Sequence, residues 1–234
     1  LYLARMITEK YDQIDHIDGS FKEALSLMIK LAKLEQNHDP ESYIFKRNND
    51  VPHDSLSHNG RGAPTAYTGM VYSAFRPSDD ACMYGYLVPS NLFFLNELEQ
   101  LPETLKSLES QNLAKAIRTG VERFAIIDGK YAYEVDGHGN ALFIDDANIP
   151  SLLTLPLLGC ISPNDELYAA TREFILSEKN PYYFSGAKAA GIGSQHTPTG
   201  FVWPIAIAAQ ALTDPLQSKK LEALDLLENT DAGT

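Results

Sequence analysis

The chain has 234 residues, of which 44% are hydrophobic, and it carries a net charge of −12. A chain of this length and composition can bury one sizeable core or part of a larger one. The acidic balance excludes nucleic acid as an expected partner, because there is no basic patch to meet phosphates. It suits a neutral ligand better than an anionic one.

Several classes of function have no motif in this sequence. No apolar run approaches the roughly 20 residues of a membrane-spanning helix, so we expect no membrane partner and a cytoplasmic location. The six histidines show no HExxH or HxH spacing and no CxxC occurs, so no metal site is expected. Walker A and dinucleotide-binding loops are absent, and we expect no cofactor. Cys82 and Cys160 are expected to be buried free thiols.

Helical periodicity dominates the first part of the chain. Ser20 and Glu23 predict a capping box at the start of a helix. Its apolar positions recur at i, i+3, i+4 and i+7 and are Phe21, Ala24, Leu25, Met28, Leu31 and Ala32. A second helix is predicted to begin near Ser90 and to end at Leu101-Pro102.

The remaining predicted elements follow in order. A third helix spans about 108–124. The segments KYAYEV and ALFID flank the turn-rich residues 136–140 and predict a short β-hairpin. The sequence SPND at 162–165 predicts a helix start, with Ser162 as the cap, a proline in the first turn and Asp165 as an acidic first-turn residue. Residues 203–212 are apolar nearly all round, which predicts an inner, buried helix, and a last helix is predicted over about 215–228.

The loops carry more information about function than the helices. Residues 37–64, 72–89, 136–150 and 180–202 are long and rich in Gly, Pro, Asn, Asp and aromatic residues. Long loops of this composition are usually functional. A helical scaffold with such loops at its helix ends predicts an all-α toroid of helical hairpins with one working face.

Two adjacent carboxylates lie in the segment FRPSDDACMYGY. If Asp79 and Asp80 are both buried, the pKa of one of them should be raised, as a general acid requires. In the alternative interpretation, Ser78 and Asp79 cap a helix and Asp80 simply faces solvent.

Three further clusters of polar and aromatic residues add to this pair. They comprise Glu134, Asp136, Asp145, Asp146 and Asn148; His196, Thr197 and Trp203; and Arg61, Tyr67, Tyr72 and Arg76. Each has a structural alternative: turn and cap chemistry for the first, a satisfied core histidine for the second, and an ion pair for the third. Taken together, these residues suit a sugar ligand. Carboxylates and amides can bind its hydroxyl groups, and aromatic side chains can stack on the apolar face of its ring.

Five sequence motifs, found in order along the chain, point to one family of enzymes with this chemistry. The strings YSAFRPSDDACMYGYLVPSN, YEVDGHGNALFIDDANIPSLLTLPLLG, NPYYFSG, GIGSQHTPTGFVWPIAIAAQALT and LLENTDAGT closely resemble glycoside hydrolase family 125. These are metal-independent exo-α-1,6-mannosidases. The resemblance covers roughly residues 65–234, and residues 1–64 match more loosely.

The resemblance implies an (α/α)6 toroid that is incomplete within residues 1–234, a single catalytic domain truncated at both ends. It implies inverting removal of a terminal, non-reducing α-1,6-linked mannose from mannosides or N-glycan-type oligosaccharides. The general acid is carried to Asp79, with Asp80 as second choice, and the general base is expected to be a glutamate beyond residue 234. The expected substrate-binding residues are Arg76, Asp80, Glu134, Asp136, Asp146, His196 and Trp203.

Two alternatives stay open beside the mannosidase. One is a catalytically dead or fragmentary sugar-binding protein. The other is a different (α/α)6 glycosidase, such as a glucosidase. The amino-acid composition does not distinguish mannose, with its axial 2-hydroxyl, from glucose. The expected partner in each case is an oligosaccharide, and no motif specifies the oligomeric state.

Overall fold

The computed structural model describes residues 1–39, 43–48 and 51–228, and it is mostly helical. The helices are α1 (Tyr2–Tyr11), α2 (Gly19–Glu35), the single turn α3 (Ser57–Gly60), α4 (Val88–Glu99), α5 (Leu108–Gly120), α6 (Glu166–Ile175), α7 (Pro204–Thr213) and α8 (Gln217–Glu228). A 3-10 turn spans Pro52–Asp54 and a π-helical turn spans Val121–Ala125. The helical character that the sequence predicted is confirmed.

The strands are short. They are β1 (Tyr86–Leu87), β2 (Ile126–Ile127), β3 (Lys130–Tyr131), β4 (Glu134–Val135), β5 (Ala141–Leu142), β6 (Tyr183–Ser185) and β7 (Ala190–Ile192). They form a three-stranded sheet in the order β1-β4-β5 and two hairpins, β2-β3 and β6-β7. The hairpin predicted around residues 136–140 is confirmed as β4-β5, with Glu134 opposite Leu142 and Val135 opposite Ala141.

Helix α2 begins two residues earlier than the capping prediction placed it. Asp18 is the N-cap, and its Oδ1 accepts a hydrogen bond of 2.9 Å from the backbone N–H of Phe21. The predicted capping box of Ser20 and Glu23 is therefore wrong. A carboxylate already satisfies the first free N–H groups of the helix, so the serine is left inside the first turn.

The predicted apolar stripe of α2 is divided between two faces. The structure buries Leu25, Ile29 and Ala32, whereas Met28 and Leu31 are exposed. The helix presents a second apolar row to solvent, and that row comprises Leu27, Met28, Leu31 and Leu34. Periodicity alone identifies both rows but does not tell which of them faces the core.

Helices α4 and α5 pack against each other and build the main core. Leu95 and Leu98 of α4 share this core with Leu113 and Ile117 of α5. Helix α5 has a capping box, in which the side chains of Ser107 and the N3 serine satisfy each other's backbone N–H groups. The predicted third helix, about 108–124, is confirmed as α5 together with the π-helical turn.

The C-terminal helices lie where they were predicted, but α6 begins three residues later than expected. Its N-cap is Asp165, which accepts from the N–H of Tyr168, so the predicted cap at Ser162 is wrong. Helix α7 is only partly the inner helix that was predicted: Ala206 and Ile207 are buried, but Ile205 and Leu212 are about half exposed. Helix α8 packs on α7 and buries none of its described side chains.

Both cysteines are free thiols, as predicted; Cys82 is buried as expected, whereas Cys160 is only partly buried. Within the described ranges, no helix combines the length and the apolar character needed to cross a bilayer. The sequence motif LLENTDAGT continues past residue 228, and its last part lies outside the described residues.

Candidate active site

The segment RPSDD forms a tight turn ahead of β1. The N–H of Arg76 donates to the carbonyl of Asp80 at 2.8 Å, and the N–H of Asp79 donates to the carbonyl of Arg76 at 3.0 Å. Phe75 and Ala81 pair as an antiparallel bridge that closes the turn. Asp79 has φ 68°, in the left-handed region that aspartate tolerates better than most residues.

This turn directs the two aspartates to opposite environments. The side chain of Asp79 is 79% exposed and that of Asp80 is 0% exposed. The premise that both carboxylates are buried is therefore wrong. The helix-cap alternative is also wrong, because no helix begins at residues 78–80 and Asp80 does not face solvent.

Sheet pairing brings Arg76 to Glu134. Tyr86 of β1 lies opposite Val135 of β4, so the chain preceding β1 runs past the side chain of Glu134. Arg76 Nε donates to Glu134 Oε1 at 2.5 Å, and the backbone N–H of Tyr84 donates to Glu134 Oε2 at 2.8 Å. Both oxygens of this buried carboxylate are engaged.

Arg76 keeps its positive charge although it is buried. Burial alone would lower its pKa, but the carboxylate of Glu134 outweighs that effect and raises it. The guanidinium carbon lies 5.7 Å from the centre of the Tyr133 ring. Arg76 Nη1 also donates to Gln195 Oε1 at 3.4 Å, and Tyr182 Oη donates to the same oxygen at 2.7 Å.

The carboxylate of Asp80 lies between a serine and a pair of histidines. Ser78 Oγ donates to Asp80 Oδ2 at 2.5 Å, and His196 Nε2 lies 3.5 Å from the same oxygen. His53 Nε2 lies 3.5 Å from Oδ1. Oδ1 is buried and accepts no hydrogen bond from any residue that the structure describes. The two imidazole rings meet edge to face, with centroids 5.9 Å apart.

Asp136 closes the β4-β5 hairpin. Its Oδ1 accepts from the N–H groups of His138 at 2.8 Å and Asn140 at 3.0 Å, and its Oδ2 accepts from the Asn140 amide at 2.6 Å. Burial would raise the pKa of Asp136, but these hydrogen bonds outweigh it and the pKa is lowered. The geometry favours the turn alternative for this residue over contact with a sugar.

Asp145 and Asp146 organise the loop that follows β5. Asp145 is fully buried and accepts 2.9 Å hydrogen bonds from the N–H groups of Leu152 and Leu153. Asp146 Oδ1 accepts from both the backbone N–H and the amide of Asn148, at 2.9 and 2.6 Å. Burial is the main cause of the raised pKa values of Tyr133 and Tyr182, and the charge of Asp146 adds to both.

Trp203 stabilises the turn that carries His196. Its indole Nε1 donates to Thr197 Oγ1 at 3.0 Å, and its backbone N–H donates to Ile192 of β7 at 3.1 Å. Its ring is partly buried against the core. This arrangement fixes residues 194–197, where His196 approaches Asp80.

The structure thus brings together only part of the predicted set. Asp79 and Asp80 share one turn with Arg76, Arg76 contacts Glu134, and His196 approaches Asp80. Asp136 and Trp203 hold the surrounding loops. Sequence reasoning missed Ser78, His53, Tyr182 and Gln195. All but His53 lie inside the quoted family motifs, and His53 lies in the predicted long loop 37–64.

The chain is similar to glycoside hydrolases, and within that class to one particular family. It matches the family described as metal-independent alpha-mannosidase (GH125) over residues 1–234. The chain belongs to this family, and the resemblance found in its motifs is confirmed.

Two similar proteins show how much of the family the chain spans. The meiotically up-regulated gene 157 protein of Schizosaccharomyces pombe is 42% identical over an alignment of 205 residues, and the match covers 82% of this chain and 40% of that protein. A solved Streptococcus pneumoniae structure from this group of metal-independent alpha mannosidases, a non-productive complex with alpha-1,6-mannobiose, superposes with a TM-score of 0.89 at 38% identity. That superposition covers 96% of this chain and 56% of the streptococcal chain.

Proposed function

We propose that this protein is an inverting exo-α-mannosidase that removes terminal, non-reducing α-1,6-linked mannose from mannosides or N-glycan-type oligosaccharides. The observation that carries the proposal is the turn 76–80, which presents an exposed carboxylate beside a buried arginine, glutamate and aspartate and a partly exposed histidine. Membership of an alpha-mannosidase family supports the sugar, and the mannobiose bound by the streptococcal relative supports the linkage.

Asp79 is the proposed general acid. A proton donor has to reach the glycosidic oxygen of a bound substrate. The side chain of Asp79 is 79% exposed, whereas the carboxylate of Asp80 is 0% exposed and accepts from Ser78. This contrast supports Asp79 over Asp80, which we assign to the buried wall of the sugar site.

The other side chains are proposed to hold the terminal mannose. Arg76 and Gln195 present charge and amide groups on one side of Asp80, and His196 presents an imidazole that is a third exposed. Asp146 is a further candidate because its charge acts on Tyr133 and Tyr182, which surround Arg76. Asp136 and Trp203 act by positioning loops.

Glu134 is a poor general base. Its carboxylate is fully buried and its two oxygens accept from Arg76 and from the N–H of Tyr84, so it is held in the interior, out of reach of an attacking water. We propose that the base is a glutamate outside residues 1–234. In an inverting enzyme it would lie roughly 6.5–9.5 Å from the acid, which leaves room for the attacking water.

We further propose that the described helices form part of an (α/α)6 toroid. The second apolar row of α2, and the exposed side chains Ile205, Leu212, Leu221 and Leu224 of α7 and α8, are surfaces on which neighbouring helices would pack. The superposition on 56% of a longer family member supports this arrangement.

The test uses α-1,6-mannobiose and proton NMR of the first sugar released by the full-length protein. We expect β-mannose to appear before mutarotation, which establishes linkage and inversion together. Early α-mannose would indicate a retaining mechanism and contradict the assignment of the carboxylates. Release of glucose from α-glucosides in preference to mannose would favour the glucosidase alternative.

A second candidate is sugar binding without hydrolysis. It is favoured by one observation: among the acidic side chains described in this cluster, only Asp79 is well exposed, while Glu134 and Asp80 are fully buried. Calorimetric binding of mannobiose without release of mannose would support this candidate. Release of mannose would exclude it.

A further inference from the structure

The cluster around Asp80 has the composition of a site for a borderline divalent cation. His53, Asp80 and His196 each offer one ligand atom, and these atoms all lie within 4.8 Å of one another. Imidazole nitrogen and carboxylate oxygen are the donors that Zn²⁺ takes in proteins, with three protein ligands leaving one position open. The chain spacing of these residues gave no sign of a metal site, and the fold assembles it.

A tetrahedral ion requires the ligand atoms of this cluster to move slightly closer together than they are in this structure. Zn–N and Zn–O bonds of about 2.0–2.2 Å place tetrahedral ligand atoms roughly 3.3–3.5 Å apart. His53 Nε2 lies 3.5 Å from Asp80 Oδ1 and His196 Nε2 lies 3.5 Å from Asp80 Oδ2, so the two distances involve different oxygens, and the three ligand atoms lie within 4.8 Å of one another. Because the two imidazoles are 36% and 33% exposed, they can adjust their rings around the buried carboxylate, which Ser78 holds in place.

A second, independent feature points to a ligand. Asp80 Oδ1 is buried and accepts no hydrogen bond from the described part of the chain, although a buried carboxylate oxygen without a partner is costly. This oxygen faces His53 Nε2. Asp54 Oδ1 lies 4.0 Å from the same nitrogen and adds negative charge that favours a cation.

We propose that His53, Asp80 and His196 form a Zn²⁺ site, and that its occupation inhibits the enzyme. The binding itself is independent of any reaction. The inhibition rests on the proposed function, in which Asp80 and His196 belong to the sugar site and Asp79 lies next to Asp80 in the chain. An ion bound there would occupy the side chains that hold the sugar, so zinc acts as an inhibitor of a family that needs no metal.

Calorimetric titration of ZnCl₂ into the chelator-treated full chain tests the binding. His53 is the informative position because it lies outside the proposed catalytic and sugar-binding residues. We expect one site in the wild type and a dissociation constant at least about tenfold weaker for His53→Gln. The matched control His138→Gln, at an exposed histidine outside the cluster, should bind as the wild type does. Equal affinity in wild type and His53→Gln, or no saturable binding, overturns the site.

Two further measurements separate the site from the proposed function. Anomalous scattering at the zinc edge from a soaked crystal should place the ion within about 2.2 Å of the three ligand atoms, and an ion elsewhere overturns the proposal. In assays with α-1,6-mannobiose, zinc should lower the turnover of the wild type and of His138→Gln, while His53→Gln, compared with its own turnover without zinc, resists zinc. Inhibition of His53→Gln equal to that of the wild type overturns the inhibitory role, whereas absence of hydrolysis in every variant counts against the proposed function alone.

Discussion

At the residue scale, the turn Arg76–Asp80 makes two identical side chains chemically different. A left-handed backbone at Asp79 rotates its carboxylate to the surface, and the closing hydrogen bond from Arg76 N–H to the carbonyl of Asp80 turns the next carboxylate inward. One aspartate can then meet a substrate while the other stays in a fixed polar wall. The sequence alone suggested that both aspartates are buried together, but the structure places them in different environments.

The first prediction concerns Asp79. Replacing Asp79 with Asn should lower the turnover of α-1,6-mannobiose at least about a hundredfold, because the amide cannot donate the proton that the leaving group needs. Asparagine also tolerates the left-handed backbone, so the fold should be kept. The matched control is Asp128→Asn, at an exposed aspartate that is also left-handed, with φ 50°, and it should keep full turnover. Near-normal turnover in Asp79→Asn would move the acid to Asp80 or elsewhere.

The second prediction concerns Glu134. Glu134→Ala should lower the free energy of unfolding by about 3–5 kcal/mol, because it leaves the buried guanidinium of Arg76 without its partner. Urea unfolding followed by circular dichroism measures the change. Glu103→Ala, which breaks the exposed pair with Lys106, is the control and should have a far smaller effect. Equal losses in the two variants would contradict a structural role for the buried pair.

At the element scale, the loop after β5 is held by a carboxylate rather than by regular structure. Asp145 ties the N–H groups of Leu152 and Leu153, while the side-chain amide of Asn180 donates to its carbonyl. Ala147 N–H donates to Gly193, which links this loop to the end of β7 and so to the turn of His196. Short anchors of this kind position a site on loops without adding helices or strands.

The third prediction follows from the burial of Asp145. Burial raises its pKa from 3.8 to about 8, against the opposing hydrogen bonds of Leu153 and Leu152. Between about pH 4 and about pH 8 Asp145 keeps its proton in the folded protein but releases it in the unfolded chain. The contribution of Asp145 to stability is therefore full below about pH 4 and is lost as the pH rises to about 8. We expect the free energy of unfolding to fall by up to about 1.4 kcal/mol per pH unit across this window.

Urea unfolding between pH 4 and pH 9 checks this slope. Asp145→Asn cannot ionise and should flatten the decline, although it is less stable at low pH because an amide cannot accept both backbone hydrogen bonds. The exposed carboxylate variant Asp128→Asn should keep the wild-type slope. Parallel pH profiles for the wild type and Asp145→Asn would show that Asp145 does not cause the decline.

At the scale of the whole molecule, a single core is flanked by exposed apolar rows on α2, α7 and α8. The candidate site lies on the loops and short strands, where β1, β4 and the turn after β7 converge. The elements that build the core are therefore separate from the segments that carry the candidate chemistry. This division allows the loops to hold strained or polar residues while helix packing supplies stability.

The fourth prediction concerns metal removal from the complete protein. Hydrolysis of α-1,6-mannobiose should be unchanged or slightly faster after EDTA treatment, because the proposed steps use side chains and water only. Added zinc should slow it if the site at His53 is filled. Activity lost on EDTA treatment and restored by calcium or zinc would contradict a metal-independent reaction in this chain.

Local features could be predicted from the sequence with good accuracy. The β4-β5 hairpin and the extent of α5 were predicted because each depends on residues close together in the chain, whereas the cap of α6 was placed at Ser162 and lies at Asp165. The start of α2 was missed because Asp18 and Ser20 are both good caps, and only the backbone decides between them. The face of α2 that is buried was also undecided, because both of its apolar rows have helical spacing.

The sequence by itself determined the helical class, the hairpin, the free thiols and the family, since these depend on local patterns and ordered motifs. Only the tertiary structure decided that Arg76 contacts Glu134, that Asp80 is buried while Asp79 is exposed, and that His53 and His196 approach the same carboxylate. These contacts join segments far apart in the chain through the pairing of β1 with β4 and the turn anchored by Trp203. No local pattern encodes them, because contact across the fold depends on packing and not on spacing along the chain.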